Sequence, residues 1–156
     1  MSKNTVITSG SRYTDIDVLA CAIAYAELKN ATPVLPGAFN ATIPESIRKW
    51  PLKYETQHPQ NANEFIMVDV SNPDYFPNFV QKNQISEVWD HRKGFENYWG
   101  NKGHINQVGA CATQIFELFG DKTKLMTTIG EMIGEAYSVL SDENADETKN
   151  INWEIA

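Results

Sequence analysis

The run Glu64-Phe65-Ile66-Met67-Val68-Asp69-Val70 constrains this chain more than any other stretch. Alternate side chains of a strand point to opposite faces, so four consecutive apolar residues cannot belong to a strand with one wet face. A strand buried on both faces is characteristic of parallel sheets, whose crossover connections carry helices. The neighbouring signals agree. Thr5-Val6-Ile7-Thr8 is a β-branched run that stops at the turn residues Ser9-Gly10, and Thr32-Pro33-Val34-Leu35 stops at Pro36-Gly37. Residues 85 to 89 read as a fourth strand and 104 to 108 as a short fifth.

Between these lie helical patterns. Residues 16 to 29 are alanine-rich and apolar nearly all round, which predicts a helix buried against a sheet. Thr14 and Asp15 are good capping types at its start, and Asp17 loosely completes a capping box with Thr14. A short helix is expected within 44–50, another over 110–119, and a long one over 123–140. In the last, Leu125, Ile129, Met132, Ile133, Ala136 and Leu140 recur at three- and four-residue spacing. The predicted fold class is α/β: a Rossmann-like parallel sheet of about five strands with helices on both faces. It forms one domain over residues 1–142, followed by an acidic tail, 143–156.

Composition narrows the function. Among 156 residues, 42% hydrophobic and 21% charged is ordinary for a globular domain. No early segment is apolar enough for a signal peptide, and the longest apolar run, 18–26, is too short to span a bilayer, so a cytoplasmic protein without membrane contact is expected. Cys21 and Cys111 lack any metal-binding spacing and read as buried core thiols. The net charge of −7 makes the chain a poor trap for a phosphate backbone, and nucleic acid is not expected as a partner, short oligonucleotides excepted. Trp50, Trp99 and Trp153 are not interleaved with basic residues and read as packing aromatics.

Several acids fall where strands end, and the carboxyl edge of a parallel sheet is where such folds bind ligands. Asp15 and Asp17 follow the first strand, Asp69 ends the third, Asp90 and His91 end the fourth, and Asp142 follows the last helix. Taken singly, each has a plain structural reading as a cap, a turn former or a surface group. Taken together, carboxylates and an imidazole converging on one edge would repel and desolvate one another without a cation. That donor set suits Mn²⁺, and less selectively Mg²⁺, Co²⁺ or Zn²⁺. His58 and His104 have no matching partners and read as surface or hydrogen-bonded residues.

In order along the chain, SGSRYTDIDVLACAIAYA, FIMVDVSNP, VWDHRKGF, VGACATQIFELF and YSVLSDE resemble the five motifs of the DHH phosphoesterases, a family that includes manganese-dependent pyrophosphatases, exopolyphosphatases and oligoribonucleases. The resemblance implies a hydrolase that cleaves a phosphoanhydride or phosphoester bond of a small phosphorylated substrate with metal-activated water. It implies that Asp17, Asp69, His91 and Asp142 hold one tightly bound ion, and that Asp15 and a bridging Asp69 hold a second. Asp69, His91 and Arg92 would form the catalytic set, Asp90 would orient it, and Arg12, Arg92 and Lys93 would steady the phosphate.

The departures from the family pattern also carry expectations. Ser11 stands where the first motif has a histidine, so the second ion is expected to bind weakly. Arg92 replaces the last histidine of the DHH triplet. Arginine grips phosphate well but does not act as an acid near neutral pH. Family members normally carry a further C-terminal domain, so a single-domain relative, a fragment, and a chain whose open site is covered by a homo-oligomer or a partner domain are the expected alternatives. The alternative reading is a catalytically weakened metal- or nucleotide-binding module, or an interaction protein retaining the fold.

Overall fold

In a computed structural model the structure describes residues 3–119, with Leu118 and Phe119 described by their backbone alone. The expected long helix over 123–140, Asp142 and the acidic tail lie outside the described residues.

Five strands form one sheet, each pairing in parallel: β1 (Thr5–Thr8), β3 (Thr32–Pro33), β5 (Glu64–Val68), β6 (Ile85–Asp90) and β7 (Gly103–Ile105). Their spatial order is β3-β1-β5-β6-β7. In register, Val6 faces Phe65, Ile7 faces Ile66, and Val68 faces Trp89. The two-sided burial expected of β5 is met. Ile66 and Val68 pack with Ile7 and Trp89 on one face, while Phe65 and Met67 pack with Val6 and Val88 on the other.

The first face is covered by helices. The helix α1 (Ile16–Lys29) buries Leu19, Ala20, Ala22, Ala24 and Tyr25 between the sheet and α3 (Cys111–Phe119), and the small residues let the layers approach. The short helix α2 (Glu45–Arg48) adds Ile47 to this core. Among the described residues the opposite face is covered differently from expectation. Loops and single 3₁₀ turns at Pro73–Tyr75, Lys82–Gln84 and Gly100–Lys102 deliver Phe76, Phe79, Val80 and Trp99 to it, in place of α-helices. Trp99 is a core residue whose indole N–H donates to the Ser71 carbonyl at 2.8 Å.

A second sheet has only two strands, β2 (Tyr13–Thr14) and β4 (Ala38–Phe39), paired in parallel. It fixes the loop after β1. The Thr14 hydroxyl donates to the Gly37 carbonyl at 2.9 Å, and a Cβ on Gly37 would lie 2.7 Å from backbone atoms of Tyr13. Only a residue without a side chain permits that approach. The loop that leads into Asp15, the N-cap of α1, and Asp17, in its first turn, is thereby held against the sheet edge. No helix among the described residues is long and apolar enough to cross a membrane.

Candidate metal centre

The chain passes from β1 to β3 on one side, then crosses to β5 on the other, so the direction of the strand order reverses between β1 and β5. Crevices at the carboxyl edge of such a reversal are where open α/β sheets bind ligands. The segments leaving β1 and β5 carry Asp15, Asp17 and Asp69, and the end of β6 carries Asp90, His91 and Arg92.

Asp69 is the pivot. Its φ of 58° lies in the left-handed region, which for a residue with a side chain costs on the order of 1 kcal/mol or more and is best tolerated by Asn and Asp. The amide of Asp69 still donates to the Trp89 carbonyl at 2.7 Å, so the backbone turns without leaving the sheet. The turn aims a carboxylate that is 1% exposed at the groups ending β6. Burial, reinforced by the Asp17 charge and against the His91 hydrogen bond, pushes its pKa well above the usual carboxylate range.

His91 faces that carboxylate. Its Nδ1 lies 3.0 Å from the Val108 carbonyl, which can only accept, so Nδ1 carries a hydrogen and Nε2 points inward. Nε2 is 3.2 Å from Asp69 Oδ1 and 3.6 Å from Asp17 Oδ2. The hydrogen bond to Asp69, with the added charges of Asp69 and Asp17, raises the imidazole pKa to about 9 despite burial.

Asp17 serves two elements. Its Oδ2 accepts from the Cys111 amide and its Oδ1 from the Ala112 amide, both at 2.9 Å. A residue of α1 thus caps the first turn of α3, satisfying amides that a helix start leaves without intrahelical partners. Asp15 is the N-cap of α1, accepting from the Val18 amide at 2.8 Å. Its pKa is raised, chiefly by burial, with the Asp17 charge adding.

Asp90 sits behind the imidazole and is 2% exposed. It accepts from the His91 amide at 2.8 Å, the Ser71 hydroxyl at 2.6 Å and Arg92 Nη1 at 2.8 Å, which suits the orienting role expected of it. Ser71 and Val108 are contributors that sequence reasoning missed. Neither has a local pattern to betray it: one acts through a hydroxyl 19 residues from its acceptor, the other through a carbonyl 17 residues from the ring.

Donor atoms of Asp17, Asp69 and His91 all lie within 4.8 Å of one another. Metal–donor bonds near 2.1 Å place neighbouring donors roughly 3–3.5 Å apart, so the separations from Nε2 match those of a shared ion. A metal-ligating histidine also commonly donates its other ring nitrogen to a carbonyl, as His91 does. The residues present fit a divalent cation; the fourth expected ligand, Asp142, lies outside the described residues.

Beside this group is a cavity of about 440 Å³, of a size for a small ligand, bordered by Asp15, Asp69, Arg92, Ser11, Arg12 and Lys93. Arg12 and Lys93 are exposed at its rim, Arg12 above the Tyr75 ring at 5.5 Å. Exposed Ser11 donates its backbone N–H to the Tyr75 carbonyl at 3.1 Å, and Asp15 is not part of the clustered donor set. Cys21 and Cys111 are free and buried. His104 stacks on Trp89 at 4.1 Å and His58 on Phe79 at 4.6 Å, both away from the donor group. No family model matches the chain, and none of the curated proteins does.

Proposed function

We propose that the chain is a metal-dependent phosphohydrolase acting on a small phosphorylated compound, in the manner of the DHH phosphoesterases its motifs resemble. One observation carries the reading: His91 Nε2 stands 3.2 Å and 3.6 Å from carboxylate oxygens of Asp69 and Asp17, with Nδ1 engaged by Val108, and Asp69 also borders a cavity with a cationic rim. Asp17, Asp69 and His91 would hold the ion, with Mn²⁺ the first candidate and Mg²⁺ or Co²⁺ behind it. Such an ion supplies Lewis-acid charge and lowers the pKa of a water bound to it. Asp90 holds the backbone of His91, Asp69 presents its carboxylate from a fixed turn, and Arg12 and Lys93 offer charge to an entering phosphate.

A weakened metal- or nucleotide-binding module is the second reading. It is favoured by the bonds of Arg92 to Asp69 and Asp90, which tie a phosphate-gripping residue to acids of the site. The test is a Mn²⁺-dependent thermal shift followed by phosphate release from pyrophosphate, polyphosphate and a nucleotide panel, using the wild type and Asp69→Asn. Asparagine accepts the left-handed backbone but removes the charge. Release in the wild type, lost in the variant, supports the hydrolase. A thermal shift without turnover leaves the binding module, and no thermal shift removes both.

A further inference from the structure

Three hydrogen bonds leave Arg92 through one nitrogen. Nη1 donates to the Asp69 carbonyl at 2.9 Å, to Asp69 Oδ1 at 3.1 Å and to Asp90 Oδ1 at 2.8 Å. Asp69 Oδ1 is also the oxygen that faces His91 Nε2 at 3.2 Å, so one nearly inaccessible carboxylate oxygen has two cationic partners. The Arg92 side chain is 54% exposed and reaches these acids from the cavity it borders.

In a centre built on two ions, a shared aspartate lies between them, about 3.5–4 Å apart. Here a guanidinium already lies against that aspartate. Two further features discourage an ion on the cavity side. Ser11 offers a hydroxyl in place of an imidazole, and Asp15 spends an oxygen on the Val18 amide. A second dication there would meet an arginine charge that does not titrate away in the physiological range.

We infer that Arg92 is the built-in second cation of this centre, neutralising Asp69 and Asp90 with a guanidinium, so that the protein binds a single divalent ion. This rests on the metal reading above and replaces the expectation of a weaker second ion. The planar, fixed charge of Arg92 would then face any phosphate entering the cavity it borders.

The full-length chain, stripped of metal, would be titrated with Mn²⁺, with bound ions counted by equilibrium dialysis and elemental analysis. Electron paramagnetic resonance would report exchange-coupled pairs. One ion per chain and no coupled pair are expected for the wild type and for Ser11→His, an exposed position that tolerates the change. Ser11→His with Arg92→Gln should bind two ions and show coupling, whereas Ser11→His with Arg92→Lys, which keeps the charge, should stay at one. Two ions in the wild type or in Ser11→His overturn the inference while leaving the metal centre standing. So does a folded Ser11→His/Arg92→Gln protein that stays at one. If the glutamine variant fails to fold, the count for Ser11→His decides. No ion in the wild type sinks the metal centre itself, and this inference with it.

Discussion

Ion binding at this centre should expel a proton. With its pKa raised to about 9, His91 is an imidazolium at neutral pH in the metal-free protein, hydrogen-bonded to Asp69. Burial favours a proton on Asp69 as well, but Arg92 and His91 both stabilise the ionised carboxylate, so the pair is expected to hold one proton between them. A cation must displace it, because only the unprotonated Nε2 is a ligand. Apparent Mn²⁺ affinity should therefore rise about tenfold per pH unit below pH 9. Between pH 6.5 and 8.5 that is about 100-fold, or about 2.7 kcal/mol. Titration calorimetry in buffers of differing ionisation enthalpy, under anaerobic conditions, should report about one proton released per ion at pH 7. Affinity that is flat over this range with no proton released would refute the placement of His91 at the ion. A release of two would put a further proton on Asp69.

The same imidazolium makes a prediction for the metal-free fold. Its folded pKa exceeds the unfolded one, so the stabilisation is complete below about pH 6.5 and fades as pH rises toward 9, visible as a falling midpoint of urea unfolding. His91→Gln should flatten that dependence. Asp17→Ala removes the acceptor of two backbone amides at the start of α3 and should cost about 1–2 kcal/mol in denaturant unfolding, with Asp17→Asn costing less. An equal loss in both variants would argue against capping as the cause. Gly37→Ala forces a Cβ to within 2.7 Å of the Tyr13 backbone and should cost on the order of 2–3 kcal/mol and weaken Mn²⁺ binding, whereas Gly94→Ala, at a turn with open space around it, should cost about 1 kcal/mol through its positive φ alone.

The sheet was legible because β5 is a short apolar run and β6 carries the apolar pair Val88-Trp89, each followed by an aspartate. Two-sided burial leaves a mark that one-sided burial does not. Residues whose placement depends on where a strand stops, Asp69, Asp90 and His91, were legible for the same reason. The β2–β4 pair was not: Tyr13–Thr14 and Ala38–Phe39 are too short for periodicity, and Gly37 read only as a turn. Asp17 looked like part of a local capping box, yet it caps a helix that begins 94 residues later, a match no local pattern records. Arg92 was read as a hand for phosphate. Its inward bonds follow from the left-handed turn at Asp69, which exposes both a carbonyl and a carboxylate to one nitrogen.

The doubled duty of Asp17 couples chemistry to architecture. Of the two oxygens that anchor the start of α3, Oδ2 also faces His91 at 3.6 Å, and the Gln114 side chain on that helix donates to the Asp90 carbonyl at 2.6 Å. A metal drawing on Asp17 would pull against the amides of Cys111 and Ala112, so filling the site would loosen the seating of α3. Hydrogen exchange at those two amides would then act as a gauge of occupancy, readable without any substrate.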